Sequence, residues 1–178
     1  MWFGATLSAM PNGALFICAP RWNDINFAQN GMCYMLSARK GQEYLPLSDP
    51  KNSYFQSDGS RREYMEFGTN IWYYGDGQAG FSVKASETGV VLGAPGLLEG
   101  TGGVVEYRPI YKNFKNSYLS EPIIVNPYYT KELGPDGYLG YSVESGVFQR
   151  NGKTLIVAGA PKSHFRYGQV SNKNYLYR

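Results

Sequence analysis

"AGFSVKASETGVVLGAPG" spans residues 79–96, and "LGYSVESGVFQRNGKTLIVAGAP", residues 139–161, repeats its outline. A looser third version, "WFGATLSAMPNGALFICAP", occupies residues 2–20. Each runs in one order: a glycine beside an aromatic residue, a short alternating stretch, a turn, an apolar stretch, then Ala-Pro. The pairs are Ala19-Pro20, Ala94-Pro95 and Ala160-Pro161. Runs such as "GVVLGAP" and "TLIVAGAP" are rich in β-branched residues, as strands covered on both faces should be. Proline has no N–H to give to a ladder, so it stops each strand. A further strand follows in two copies, "GGVVEYR" at 102–108 and "YGQVSN" at 167–172.

The rest of the chain agrees with an all-β reading. Its 178 residues are 43% hydrophobic and only 17% charged, which excludes a disordered chain. Sixteen tyrosines and 22 glycines favour a turn-rich β protein, and no segment carries a sustained helical period. The net charge of +3 comes without a Lys/Arg run, so nucleic acid is not an expected partner. No apolar run approaches the ~20 residues of a membrane-spanning helix. The connectors 37–66 and 109–135 carry Asn, Ser, Pro, Gly and Tyr, as long loops and outer strands do. Repeated units of four strands point to a β-propeller, a β-sandwich being the other reading. The units are 1–78, a first blade with an inserted loop and outer strand, then 79–137 and 138–178. Three blades do not close a ring, since propellers have about four or more. The expectation is therefore an arc of a larger propeller, with "MWFGATL" opening inside a repeat and end faces left open.

Enzymatic chemistry finds little support. The single histidine, His164, stands in a polar loop without a nucleophile elbow or partner spacing. One histidine and two cysteines are too few for a nitrogen/sulfur metal site. "GLLEGTGG" at 96–103 is glycine-rich but is expected to run into strand rather than helix, which argues against a phosphate cradle. Asp58-Gly59, Asp76-Gly77 and Asp136-Gly137 read as turns.

In their order, "WFGATL…CAP…CYML", "GFSVKASETGVVLGAPG" and "YLGYSVESG…VAGAP" resemble the FG-GAP repeats of integrin α subunits. The resemblance covers most of the chain and matches the second to fourth blades of that family's seven-bladed N-terminal propeller. It implies a non-enzymatic cell-adhesion receptor on the extracellular side of the plasma membrane. The receptor would pair with an integrin β subunit, bind an extracellular matrix protein, and reach the membrane only through a C-terminal part outside this segment. A different FG-GAP propeller, serving as an extracellular carbohydrate- or protein-binding module, is the alternative.

Residue by residue, the resemblance carries further expectations. Cys18 ends one inner strand and Cys33 begins the next, so the two could face each other or remain buried thiols. The family's second blade carries such a bridge, which implies a Cys18–Cys33 disulfide. Later blades of the family hold Ca²⁺ in an Asp-rich loop. The matching loop here, "GVFQRNGKTL", places Val147, Gln149, Asn151 and Lys153 at the ligand positions. An alkyl group offers no oxygen and an ammonium repels the ion, so no cofactor is expected in this segment, though Ca²⁺ could occupy blades outside it. Aromatic side chains of the family's propeller cage a basic residue of the β subunit, and the motif match assigns that role to Trp2, Phe81 and Tyr141. The matrix-ligand loops match at Trp72, Asp76, Glu99 and Asp136. Glu99-Gly100 stands where Arg-Gly-Asp readers carry aromatics, and Pro135 where they carry an acid. A laminin-like or other matrix ligand fits these departures better.

Overall fold

A computed structural model of the chain describes residues 1–23, 29–38, 40–47, 63–66, 69–72, 76–110, 118–120, 122–125, 136–163 and 168–172. His164, Asp58-Gly59 and Pro135 lie outside the described residues. Three antiparallel sheets follow one another along the sequence. The first is a four-stranded meander of Thr6–Ala9 (β1), Leu15–Ala19 (β2), Met32–Leu36 (β3) and Gly41–Tyr44 (β4). A separate hairpin, Glu63–Glu66 (β5) with Thr69–Trp72 (β6), comes next. The second sheet takes Ser82–Ser86 (β7) and Gly89–Gly93 (β8), and one helical turn, Leu97–Gly100 (α1), interrupts it. Val104–Tyr107 (β9) then pairs with β8. The chain passes through the short hairpin Pro109–Ile110 (β10) and Tyr118–Leu119 (β11) before Ile123–Val125 (β12) closes the edge. Ser142–Val147 (β13), Thr154–Ala160 (β14) and Gln169–Asn172 (β15) make the third sheet.

The architecture is all-β, and its sheets are compatible with propeller blades. One expectation needs correcting: "GLLEGTGG" does not run straight into strand. Its first part closes the α1 turn, with Gly100 N donating to Gly96 O at 3.2 Å, before β9 begins.

The runs of β-branched residues are explained by what covers them. All five residues of β8 are buried. Val90 and Leu92 face the first sheet, where they join Phe16, Cys18, Met35 and Tyr44 in one core. Val91 faces the other way and packs with Val104 against Leu139, Ala158 and Ala160 of the third unit. A strand sandwiched between two sheets has no polar face to display, so its alternation disappears. At the first joint three rings meet: Phe16 and Tyr44 lie 5.4 Å apart between centroids, Tyr44 and Tyr107 5.3 Å, and Phe16 and Tyr107 6.4 Å. Such pairs contribute ~0.5–1.5 kcal/mol each beyond their buried area. Burial raises the Tyr44 phenol above its ordinary value. The Leu119 backbone offsets part of this without a hydrogen bond of good geometry.

Successive sheets are joined at a repeated backbone contact. The Gly80 amide donates to Gly93 O at 3.0 Å, and its carbonyl accepts the Thr6 hydroxyl of the preceding sheet at 2.6 Å. One unit later, the Gly140 amide donates to Gly159 O at 3.0 Å and its carbonyl accepts the Ser82 hydroxyl at 2.9 Å. Both glycines sit at φ 88°, a conformation side chains resist. Space excludes a side chain too. A Cβ on Gly80 would stand 2.6 Å from Cys18 Cβ, and one on Gly140 would stand 2.8 Å from Ala94 N.

Cys18 and Cys33 are bonded. They are directly opposite in the β2–β3 register, with Cα atoms 4.0 Å apart, and both are fully buried beneath Gly80. A bridge spanning a sequence separation of 15 is worth about 3 kcal/mol in the chain-entropy account. Replacing both cysteines by alanine should therefore lower the unfolding free energy by roughly that amount, read as a shift in the urea midpoint. An unchanged midpoint would show that the bridge adds nothing to stability.

Candidate functional site

The sites matched from sequence gather at the end of the sheets where β1, β7 and β13 begin and β2, β8 and β14 finish. Hydrogen bonds set the correspondence between units. Gly4 N donates to Cys18 O at 3.1 Å, as Gly80 does to Gly93 and Gly140 to Gly159. Next, Ala5 N donates to Trp2 O, Phe81 N to Gln78 O and Tyr141 N to Tyr138 O, each at 3.1 Å. Ala5, Phe81 and Tyr141 thus hold one structural position, while Trp2, Gln78 and Tyr138 hold another, three residues earlier. Matching "WFGA" to "AGFS" by their aromatics alone hides this offset.

Phe81 and Tyr141 form a pair, their ring centroids 4.9 Å apart and their planes inclined at 46°. Tyr141 is 53% exposed and Phe81 is half-buried, so the pair offers ring surface to solvent on a fixed backbone. Trp2 is equally exposed but engaged: the Arg21 guanidinium carbon lies 4.5 Å from its ring centroid. Arg21 is held from the other side, its Nε donating to Gln29 Oε1 at 2.8 Å. The arrangement recurs in the third unit, where Lys162 Nζ stands 4.6 Å from the Tyr138 centroid. Arg21 and Lys162 each follow an Ala-Pro pair. The middle unit has Gly96 and Gln78 at these places, and its Gln78 amide donates to Gln29 Oε1 at 3.4 Å. Sequence reasoning passed over these cations, although a basic residue directly after Ala-Pro in two of three copies was the available signal.

The loop candidates converge on α1. Backbone of β6, which carries Trp72, comes within 8 Å of α1, which carries Glu99. The side chains of Trp72 and Glu99 lie outside the described residues. Gly96, just before the helical turn, donates to Gly77 O of the Asp76 turn at 3.2 Å. Asp136 Oδ1 stands 3.1 Å from where a Cβ on Gly100 would be. Asp76 braces the surface, its Oδ1 accepting the Gln29 amide at 2.9 Å. Both aspartates are exposed and left-handed, at φ 51° and 59°, which their short side chains tolerate.

Two other places bear on chemistry. In the β13–β14 turn, Asn151 Oδ1 accepts the Lys153 amide at 3.0 Å and its Nδ2 donates to Gln149 Oε1 at 3.0 Å. The polar groups at the matched calcium positions are thus turned on one another. At the opposite end of the sheets a cleft of about 310 Å³ is lined by Thr88, Glu106, Tyr107, Arg108 and Leu155. Its carboxylate, Glu106, is gripped by Arg108 through Nε at 3.1 Å and the second nitrogen at 3.3 Å, which raises the Arg108 pKa. Tyr107 is buried and gives no open ring on which a sugar could stack. The cleft therefore lacks both an uncommitted acid and an aromatic platform among its described residues.

No family model matches the chain. It is similar to integrin alpha-8 of Homo sapiens, 28% identical over 182 residues that cover 96% of this chain and 16% of that protein. Integrin alpha-4 of Xenopus laevis is 28% identical over 176 residues, 90% of this chain and 14% of its own length. Integrin alpha-11 of Homo sapiens reaches 35% over 111 residues, 61% of this chain and 8% of its own length. The chain spans no more than 16% of the length of these curated relatives, and each of them is an integrin α subunit.

Two outcomes are expected from these contacts. Gly80→Ala should destabilise the protein by about 1–3 kcal/mol, since it adds both left-handed strain and a clash with the Cys18 side chain. Thermal unfolding checks this, and an unchanged midpoint would mean that the joint yields freely. Lys84 Nζ, on the second sheet, meets Glu144 Oε1, on the third, at 2.7 Å. The hydrogen bond from Lys84 lowers the Glu144 pKa. A depressed carboxylate stabilises above its unfolded pKa, and that contribution is lost as pH falls through the folded one. The pair is exposed, so the effect is at most a few tenths of a kcal/mol. Glu144→Gln should flatten the acid limb of stability against pH by that small amount and leave the alkaline limb unchanged.

Proposed function

We propose that this chain, similar along nearly its whole length to integrin α subunits, forms three successive blades of a larger β-propeller in the head of a cell-adhesion receptor. The blades are 1–78, 79–137 and 138–178, within a ring of seven. The head stands on the extracellular side of the plasma membrane, where a disulfide such as Cys18–Cys33 persists, and the membrane is reached through parts beyond this segment. Its work is binding rather than catalysis, and no calcium or other cofactor is required in these blades.

One observation carries the reading: the paired rings of half-buried Phe81 and exposed Tyr141, set on glycine-pinned turns. Their faces receive a basic side chain of an integrin β subunit. A cation over aromatic faces gains ~1–2 kcal/mol when desolvated, and rigid aromatics act as interface anchors because little side-chain freedom is lost. Trp2, on whose ring Arg21 rests, is the third aromatic assigned to this contact. The loops around α1, with Trp72, Asp76, Glu99 and Asp136, meet an extracellular matrix protein other than an Arg-Gly-Asp ligand. Because the joints are stiff, signalling proceeds by movement of the partners about the head rather than by bending within it.

Pull-down from surface-labelled cells expressing the full-length chain tests this. The parent should bring down a β subunit, and Phe81→Ala/Tyr141→Ala should lose at least tenfold of it while reaching the surface normally. Failure of the parent to recover any β subunit would remove the receptor reading in favour of an extracellular binding module. Equal recovery by both forms would return the two rings to a packing role.

A further inference from the structure

Arg21 and Lys162 are exposed and without an acidic partner among the described residues. Each is laid on an aromatic ring of its own chain, and Arg21 is further tied to Gln29. They belong to the first and third sheets, on either side of the unit that has Gln78 and Gly96 in their place. The Phe81–Tyr141 pair sits at the same end, at the joint between the second and third sheets. Two carboxylates stand nearby. Asp76 is bonded to the Gln29 amide, and Asp136 lies against Gly100, so neither closes on Arg21 or Lys162.

We propose that the partner segment seated on Phe81 and Tyr141 carries its basic side chain between carboxylates, and that these pair with Arg21 and Lys162. This rests on the reading that the aromatic pair accepts a basic side chain. A bare cation approaching that pair meets a surface with two further positive charges, Arg21 linked to it through Gln29 and Gln78 and Lys162 through Tyr138, and charges more than ~8–10 Å apart are screened from one another. An acid–base–acid segment reverses the sign of both flanking interactions while keeping the central contact. Each cation already rests on a ring of its own chain, so pairing draws on a conformation the side chain holds beforehand. Charge arranged in this way selects among partners and speeds encounter more than it adds affinity. The motif therefore discriminates against β subunits whose basic residue lacks flanking acids.

The test uses the full-length chain co-expressed with an integrin β subunit, with capture measured at low and high salt and surface arrival and thermal midpoint recorded for each form. Arg21→Glu/Lys162→Glu should weaken capture on the order of tenfold at low salt and invert its salt dependence, since added salt then screens a repulsion. Arg21→Lys/Lys162→Arg, which keeps both charges, should capture like the parent. If charge reversal blocks surface arrival, Arg21→Gln/Lys162→Gln takes its place, with a loss of roughly threefold expected. Parent-level capture by the reversed or neutral form overturns the proposal, as does an equal loss in the charge-conserving form, which would assign the cations to packing. Loss in Phe81→Ala/Tyr141→Ala with none on reversal would leave the aromatic contact standing and remove only the flanking acids. Parent-level capture by the aromatic variant would remove both.

Discussion

The fold depends on a backbone meeting a backbone. At Gly80 and Gly140 the chain passes from one sheet to the next in so little space that a single added carbon would collide with the preceding sheet. The same two carbonyls accept hydroxyls from that preceding sheet. Close approach and hydrogen bond are one device: the glycine allows the distance and the Ser or Thr fixes it. Without it the sheets could not come near enough for Val90 and Leu92 to share a core with Phe16 and Tyr44.

The placement of the surface follows from that joint. The residue after each glycine is the first to escape the crowded joint and the last before the strand begins. Its side chain therefore emerges at the rim on a backbone that cannot drift. Phe81 and Tyr141 are there, and consecutive joints bring their rings together. The disulfide lies directly beneath Gly80, so a covalent bond within one sheet supports the turn of the next. A rim built this way is tied by backbone hydrogen bonds to the sheets on either side of each joint.

Much of this was legible in the sequence because the repeats carry their own punctuation. Ala-Pro marks where each second strand stops, the β-branched runs mark strands covered twice, and the glycine before Phe81 and Tyr141 marks the joint. Paired strands put Cys18 opposite Cys33. What stayed hidden has physical reasons. The first copy has Ala5 where the others carry an aromatic, so matching by residue type moves Trp2 three places from its structural counterparts Gln78 and Tyr138. The α1 turn is too short to leave a periodic trace, and it forms because the Ala94 carbonyl accepts the Leu97 amide and the Gly102 amide donates to Leu97 O, not through helix propensity. The stacking of Arg21 and Lys162 is a contact across each unit that no local pattern encodes, although their shared position after Ala-Pro was visible.

The hydroxyl-to-glycine link also has a direction. Thr6 gives to the following unit and Ser82 gives to the one after it; Ser142, at the next equivalent position, is exposed and gives to no described residue. At the other extreme, Phe3 stands where Ala79 and Leu139 are wholly covered, yet it is 53% exposed. Ser142 thus offers an unused donor on one side, while Phe3 bares its ring on the other, although the third sheet also bares Val147 and Phe148. Faces of this kind do not mate with copies of themselves. They join head to tail, and head-to-tail joining either closes a ring or grows without limit. A one-way link between like units is suited to joining of that kind, whichever way it ends.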